Sequence, residues 1–229
     1  MTDSLPPVAI VVGAAGALGR FVALGLAHAG MTVVAVDRKA DALELLPDAI
    51  RRKVADTTDP ATAREVVDRI AEEIGAPRVL VNTIGTYGLG DLAETTPDQL
   101  GLMMSVNLGT ALWLSQAAAP HMRAAGGGSI VHVAARHGLD PMTGSLAYSL
   151  SKSALVHLVR VLDAELRPTG IRVNAVAPQL LDSPFGRASF PPEVIAHAVA
   201  PEAVASVIVA VATDTSAPVS GAVIPTYGS

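Results

Sequence analysis

Short β-branched runs recur along the chain at 8–12, 32–36, 79–82, 129–133 and 171–176, with 222–225 last. Helix-length stretches at 17–29, 60–74, 97–123 and 146–166 lie between them. Strand-like runs alternating with helix-like ones predict βαβ units and therefore a doubly wound parallel sheet. The runs are nearly continuous in apolar residues, so helices are expected on both faces of that sheet. A further strand is expected just before Asp56. No internal repeat or low-complexity linker interrupts the pattern, and residues 1–229 read as a single α/β domain. Gly126, Gly127 and Gly128 mark a sharp turn. The polar, proline-containing segment 182–192 reads as a flap and candidate substrate lid.

Composition narrows the picture. Half the residues are hydrophobic but only 3% are aromatic, so the core is built from Ala, Val, Leu and Ile on closely packed elements. A net charge of -5 offers no basic field for nucleic acid or an anionic membrane surface. With no cysteine there is no disulfide, thiolate metal site or cysteine nucleophile; no metal site is expected, and the usage fits a reducing cytoplasm. The apolar stretch 8–36 is broken by Arg20, His28 and glycines, and the run 204–212 is too short to span a bilayer. Asp3, Pro6 and Pro7 stand where a secretion signal needs basic and apolar residues. The expectation is a soluble cytoplasmic protein acting on a small molecule.

Chemistry enters directly after the first strand. In the string GAAGALG, Gly13, Gly16 and Gly19 open a helix. The backbone N–H groups there, those of Ala17 and Leu18 among them, and the positive helix end can meet a pyrophosphate. Plain strand-to-helix packing also produces such turns, but Asp37 adds weight. It ends the second strand about 20 residues on, where a carboxylate can hold both ribose hydroxyls and repel a 2′-phosphate. Arg38 and Lys39 follow and partly cancel that repulsion, so NAD(H) is favoured and NADP(H) still admitted. Asp56, with Thr57 beside it, is placed to meet an adenine; Asn82 and Gly85 end the fourth strand at the same edge. Asp56 and Asn82 equally suit ordinary turns. Together these positions predict a Rossmann-like dinucleotide crevice at the carboxyl ends of the strands.

Far downstream, the string AYSLSK places Tyr148 and Lys152 four residues apart, on one face of a helix. An ammonium beside the phenol would make it a usable acid near neutral pH. Lowering its pKa by about three units needs roughly 4 kcal/mol, within reach of a partly desolvated cation.

Taken in order, GAAGALG, VDRK, NTIG, MSVN, AYSLSK and RVNAVAP resemble the short-chain dehydrogenase/reductase family over nearly the whole chain. The resemblance implies that Tyr148 is the general acid/base and that Lys152 binds the nicotinamide ribose and lowers the tyrosine pKa. It implies that Asn107 supports a water-linked proton path and that Asn82 and Gly85 shape the adenosine side. Residues 176–183, with Pro178, Leu180, Leu181 and Ser183, would run along the nicotinamide. It also implies a homodimer or homotetramer through the helices at 97–123 and 146–166.

Three departures from the family pattern stand out. Gly16 and Ala17 reverse the usual order in the first loop. Gln179 follows Pro178 where glycine is typical, which would restrict any left-handed backbone there. Most consequential, Ala135 in VHVAARHG occupies the position of the family's carbonyl-polarising serine. Losing such a donor lowers a rate on the order of a hundredfold to a thousandfold. Either another donor replaces it, with Thr143, Ser145 and His137 nearby, or the substrate is already activated, or the fold serves a non-redox role as a cofactor-binding protein, isomerase, cyclase or dehydratase. Ser145 also suits a helix cap and His137 a plain loop. The segment LDSPFGRASFP resembles dihydropteridine reductases, which also carry Ala at the serine position and reduce a quinonoid ring with NADH. An NAD(P)H-dependent reductase of an activated carbonyl, imine or quinonoid is the leading expectation.

Overall fold

The computed structural model describes residues 6–213 and 218–228. Asp3, invoked above against a secretion signal, lies outside them. Seven strands form one sheet: β1 (Val8–Val12), β2 (Thr32–Asp37), β3 (Arg51–Val54), β4 (Pro77–Asn82), β5 (Gly128–Val133), β6 (Ile171–Pro178) and β7 (Val223–Thr226). Their order is β3-β2-β1-β4-β5-β6-β7 and every pairing is parallel. The order reverses between β1 and β4, which opens the crevice where open α/β sheets take ligands.

Nine α-helices connect and cover the strands among the described residues: α1 (Gly19–His28), α2 (Ala40–Leu43), α3 (Pro60–Glu73), α4 (Pro97–Met103), α5 (Thr110–Ala124), α6 (Leu146–Leu166), α7 (Pro184–Ser189), α8 (Pro192–Ile195) and α9 (Pro201–Thr213). Side chains alternate across the sheet and feed two cores. Val8, Ile10 and Val12 of β1 pack with α3, α5 and α6 through residues such as Val67, Leu114 and Val159. Ala9 and Val11 point the other way, onto α1 and α9 through Leu26 and Ile208. The three-layer architecture expected from the apolar runs is therefore the one observed. The apolar run 204–212 belongs to α9, and among the described residues no helix is long and apolar enough to cross a membrane.

Two differences are instructive. β3 reads Arg-Arg-Lys-Val and carries no apolar run because it is an edge strand, where charge protects unpaired backbone. The single helix expected over 97–123 is instead α4, a π-helical segment at Met104–Gly109, and α5. That widened turn contains Asn107, which is wholly buried and bonds to groups outside its own helix.

Candidate active site

Gly13 ends β1 with a left-handed φ of 78°, and its N–H and that of Ala14 both donate to the Val36 carbonyl of β2. Gly16 N–H donates back to the Gly13 carbonyl at 3.0 Å. A Cβ at Gly19 would overlap the Gly13 carbonyl oxygen and lie 2.8 Å from Ala14 Cα, so only glycine lets α1 start this close to the turn. Ala17 and Leu18 complete the turn, Leu18 standing at the N-cap position of α1 without a side-chain cap. Asp37 braces the arrangement: its carboxylate accepts from Ala15 N–H and Lys39 N–H, both at 3.1 Å. Arg38 reaches Asp56 at 3.8 Å, a mostly exposed and therefore weak pair. Asp56 itself accepts from the Thr58 N–H and hydroxyl, bonds that hold its carboxyl below the usual carboxylate range. The adjacent Thr57 is fully buried with its hydroxyl unpartnered.

Farther along the same edge opens a cavity of about 500 Å³. Tyr148 and Lys152, brought to one face by α6, both line it, as do Gly85, Ala135, His137, Thr143, Pro178, Gln179, Leu180, Leu181 and Ser183. Lys152 Nζ donates to the Val133 carbonyl at 2.8 Å and lies 5.9 Å from the Tyr148 ring centroid. Burial pulls the Lys152 amine down to about 8. Burial also pushes the Tyr148 phenol well above the ordinary tyrosine value, with the neighbouring Tyr87 adding to the rise. The expected acidification of Tyr148 by Lys152 is thus not a property of the chain alone, because the amine is committed to a carbonyl and both groups are desolvated.

Asn107 stands behind this wall rather than in it. Its side chain clamps Thr86 by accepting from the N–H at 2.8 Å and donating to the carbonyl at 3.0 Å, and it donates to Ser151 Oγ at 2.9 Å. Ser151 in turn donates to the Tyr148 carbonyl. Asn82 is likewise internal: it donates to Thr110 Oγ1 and accepts from Ile84 N–H, so its polar atoms shape the turn after β4.

Residues 7–193 match the profile of the short chain dehydrogenases. The chain belongs to that family. It is an NAD(P)-dependent oxidoreductase. This dehydrogenase is 30% identical over 231 residues to the D-threitol dehydrogenase of Mycolicibacterium smegmatis, covering 94% of this chain and 89% of that protein. It is 38% identical over 200 residues to an uncharacterized NAD-dependent oxidoreductase of Mycobacterium tuberculosis, covering 78% of this chain and 72% of the other. The solved short-chain type dehydrogenase/reductase of Mycobacterium ulcerans superposes with a TM-score of 0.89 at 25% identity, over 96% of this chain and 88% of that one.

The dehydrogenase's edge fits the dinucleotide its family uses: a turn closed to any side chain at Gly19, a carboxylate at the end of β2, and an orphaned buried hydroxyl at Thr57. Gln179 causes no strain, since among the described residues only glycines have positive φ; its amide oxygen accepts from Arg136 at 3.1 Å. Ser145 occupies the N-cap position of α6 but makes no capping bond, and its buried hydroxyl is left unpartnered. Ser183 Oγ does cap, accepting from Gly186 N–H to start α7, so the expected flap consists of two short helices. His137 is held below its ordinary pKa by burial and by Arg136, which makes it a neutral imidazole at pH 7. Among the described residues no cluster of metal-ligating side chains occurs.

Sequence reasoning missed the aromatic lining. Of one Trp, three Tyr and three Phe, four side chains (Tyr87, Tyr148, Phe185 and Phe190) line this one cavity. Tyr87 meets Tyr148 edge-on with ring centroids 4.8 Å apart, and Phe190 at 5.7 Å. In so aromatic-poor a chain, a tyrosine between glycines at a strand's carboxyl end was the available signal.

Proposed function

We propose that the protein uses NADH to reduce an activated carbonyl, imine or quinonoid group in a flat small molecule, with Tyr148 as proton donor. The observation that carries this reading is the shared wall: Tyr148, Lys152 and Ala135 face one cavity whose remaining lining is largely apolar and aromatic. A nicotinamide held at this edge would supply the hydride, with its two electrons, for the substrate carbon. The π pair of the C=O or C=N bond then moves onto the heteroatom, Tyr148 transfers its phenolic proton there, and its phenolate regains a proton from solvent. Lys152, still cationic at pH 7, stabilises the transient phenolate and offers N–H donors to the ribose. The flap from 182 to 192 closes over the substrate.

Asp37 favours NADH. Its carboxylate, held beside the glycine turn by the Ala15 N–H, would repel a 2′-phosphate, and Arg38 is turned toward Asp56. A relative named as NAD-dependent supports the same choice. Asp37→Ser should raise the ratio of NADPH to NADH kcat/KM at least about tenfold, the scale of removing one close like-charge repulsion. Exposed Leu102 on α4 and Leu150 and Val161 on α6 support a homodimer or homotetramer, and the lack of cysteine supports a cytoplasmic setting.

The test is a substrate comparison. With NADH, wild-type protein should reduce a quinonoid dihydropterin or an aromatic 1,2-dione far faster than cyclohexanone, and Ala135→Ser should raise cyclohexanone reduction roughly a hundredfold by restoring a carbonyl donor. Equal wild-type rates on activated and plain ketones would refute the activated-substrate reading.

A further inference from the structure

Ala135 brings no hydroxyl to the cavity, yet another segment lining it is tied down at both ends. Residues 83–90 leave β4 with no regular structure of their own, and still both ends of the stretch around Tyr87 are tied down. On one side the Asn107 amide grips both backbone groups of Thr86. On the other, Gly90 N–H donates to the Gly144 carbonyl at 3.0 Å and Leu146 N–H donates to the Gly90 carbonyl at 2.9 Å. The second tie ends at the start of α6, the helix that carries Tyr148 on its first turn. Tyr87 is therefore fixed relative to the proton donor by backbone bonds.

Three aromatic neighbours surround its ring: Tyr148 at 4.8 Å, Phe190 of the flap at 5.7 Å and His137 at 6.0 Å. We propose that Tyr87 is a second catalytic phenol, donating to the substrate heteroatom the hydrogen bond that Ala135 cannot. This deepens the reductase reading and rests on it. Burial holds the Tyr87 phenol above its ordinary pKa, so at neutral pH Tyr87 keeps the proton it must donate. Thr143 also lines the cavity, in the loop five residues before Tyr148. His137 has its Nδ1 buried and unpartnered, and stands beside both phenols as a ring contact. A donor fixed beside the acid, in a ring-lined cavity, suits a conjugated planar acceptor whose heteroatom meets both phenols at once.

The experiment uses full-length protein with NADH and phenanthrenequinone as probe, comparing wild type, Tyr87→Phe, Tyr148→Phe and Tyr87→Phe with Ala135→Ser. Tyr87→Phe should lower kcat roughly a hundredfold while leaving NADH affinity unchanged, and Ala135→Ser in that background should recover at least about tenfold by supplying another donor to the same cavity. Calorimetry with NAD in place of NADH reads quinone binding without turnover, and Tyr87→Phe should weaken it about tenfold. Undiminished kcat in Tyr87→Phe, with activity lost in Tyr148→Phe, would overturn the Tyr87 assignment alone. A Tyr87→Phe defect that Ala135→Ser does not relieve would reduce Tyr87 to a packing role and overturn it as well. Absence of quinone reduction by wild type, or full activity in Tyr148→Phe, would bring down the reductase reading and this inference with it.

Discussion

Tyr148→Phe should lower reductive kcat by about a thousandfold and leave NADH binding intact. The substitution keeps the ring and its edge-on contacts with Tyr87 and His137, so the cavity wall is preserved while the proton is removed. Positioned acid/base groups contribute on the order of a hundredfold to ten-thousandfold. The expected pH profile follows from the neighbouring amine. Tyr148 stays protonated throughout the neutral range because burial raises its pKa, whereas Lys152 loses its charge as pH rises through about 8. Reductive kcat/KM should be level below that pH and fall above it. Stopped-flow absorbance at the nicotinamide band measures the first effect, and steady-state rates across the pH range measure the second. A Tyr148→Phe protein with near wild-type turnover would remove the phenol from the mechanism.

The second large effect concerns the glycine turn. Gly19→Ala should destabilise the fold by about 3 kcal/mol, a fall in Tm of roughly 6 to 12 °C, because the new methyl group overlaps backbone and not a yielding side chain. The same displacement moves the N–H groups proposed to meet a pyrophosphate. The stabilisation that NADH gives wild type at a hundred times its Kd, about 2.7 kcal/mol, should therefore vanish in thermal-shift measurements. Gly101→Ala on α4 is the control: a Cβ there meets nothing within 4 Å, so neither quantity should fall. Retained NADH stabilisation in Gly19→Ala would show that the turn is packing alone.

The sheet and its long helices were legible because burial on both faces writes itself as apolar runs, and the observed α6 keeps the bounds 146–166 drawn from sequence. β3 was faint since an edge strand needs charge more than hydrophobicity. The π segment was invisible for a different reason: Asn107 satisfies its amide with Thr86 and Ser151, 21 and 44 residues away, and local periodicity carries no trace of such partners. Much of the site followed the same division. Gly13, Gly19 and Asp37 could be placed by spacing because they belong to one βαβ unit. The state of Tyr148 could not, because spacing puts Lys152 on its face without showing that the ammonium turns to the Val133 carbonyl. The sequence could flag Tyr87 as a tyrosine among glycines but not its place beside Tyr148, which depends on a bond between Gly90 and Leu146 that joins distant stretches of chain.

That same bridge limits how the molecule can breathe. Swinging the 83–90 stretch outward to admit a reactant would break two main-chain bonds and drag the front of α6 along, disturbing the acid itself. The proposed passage for a reactant is therefore the flap, where α7 and α8 lie between the paired residues Leu181 and Val199.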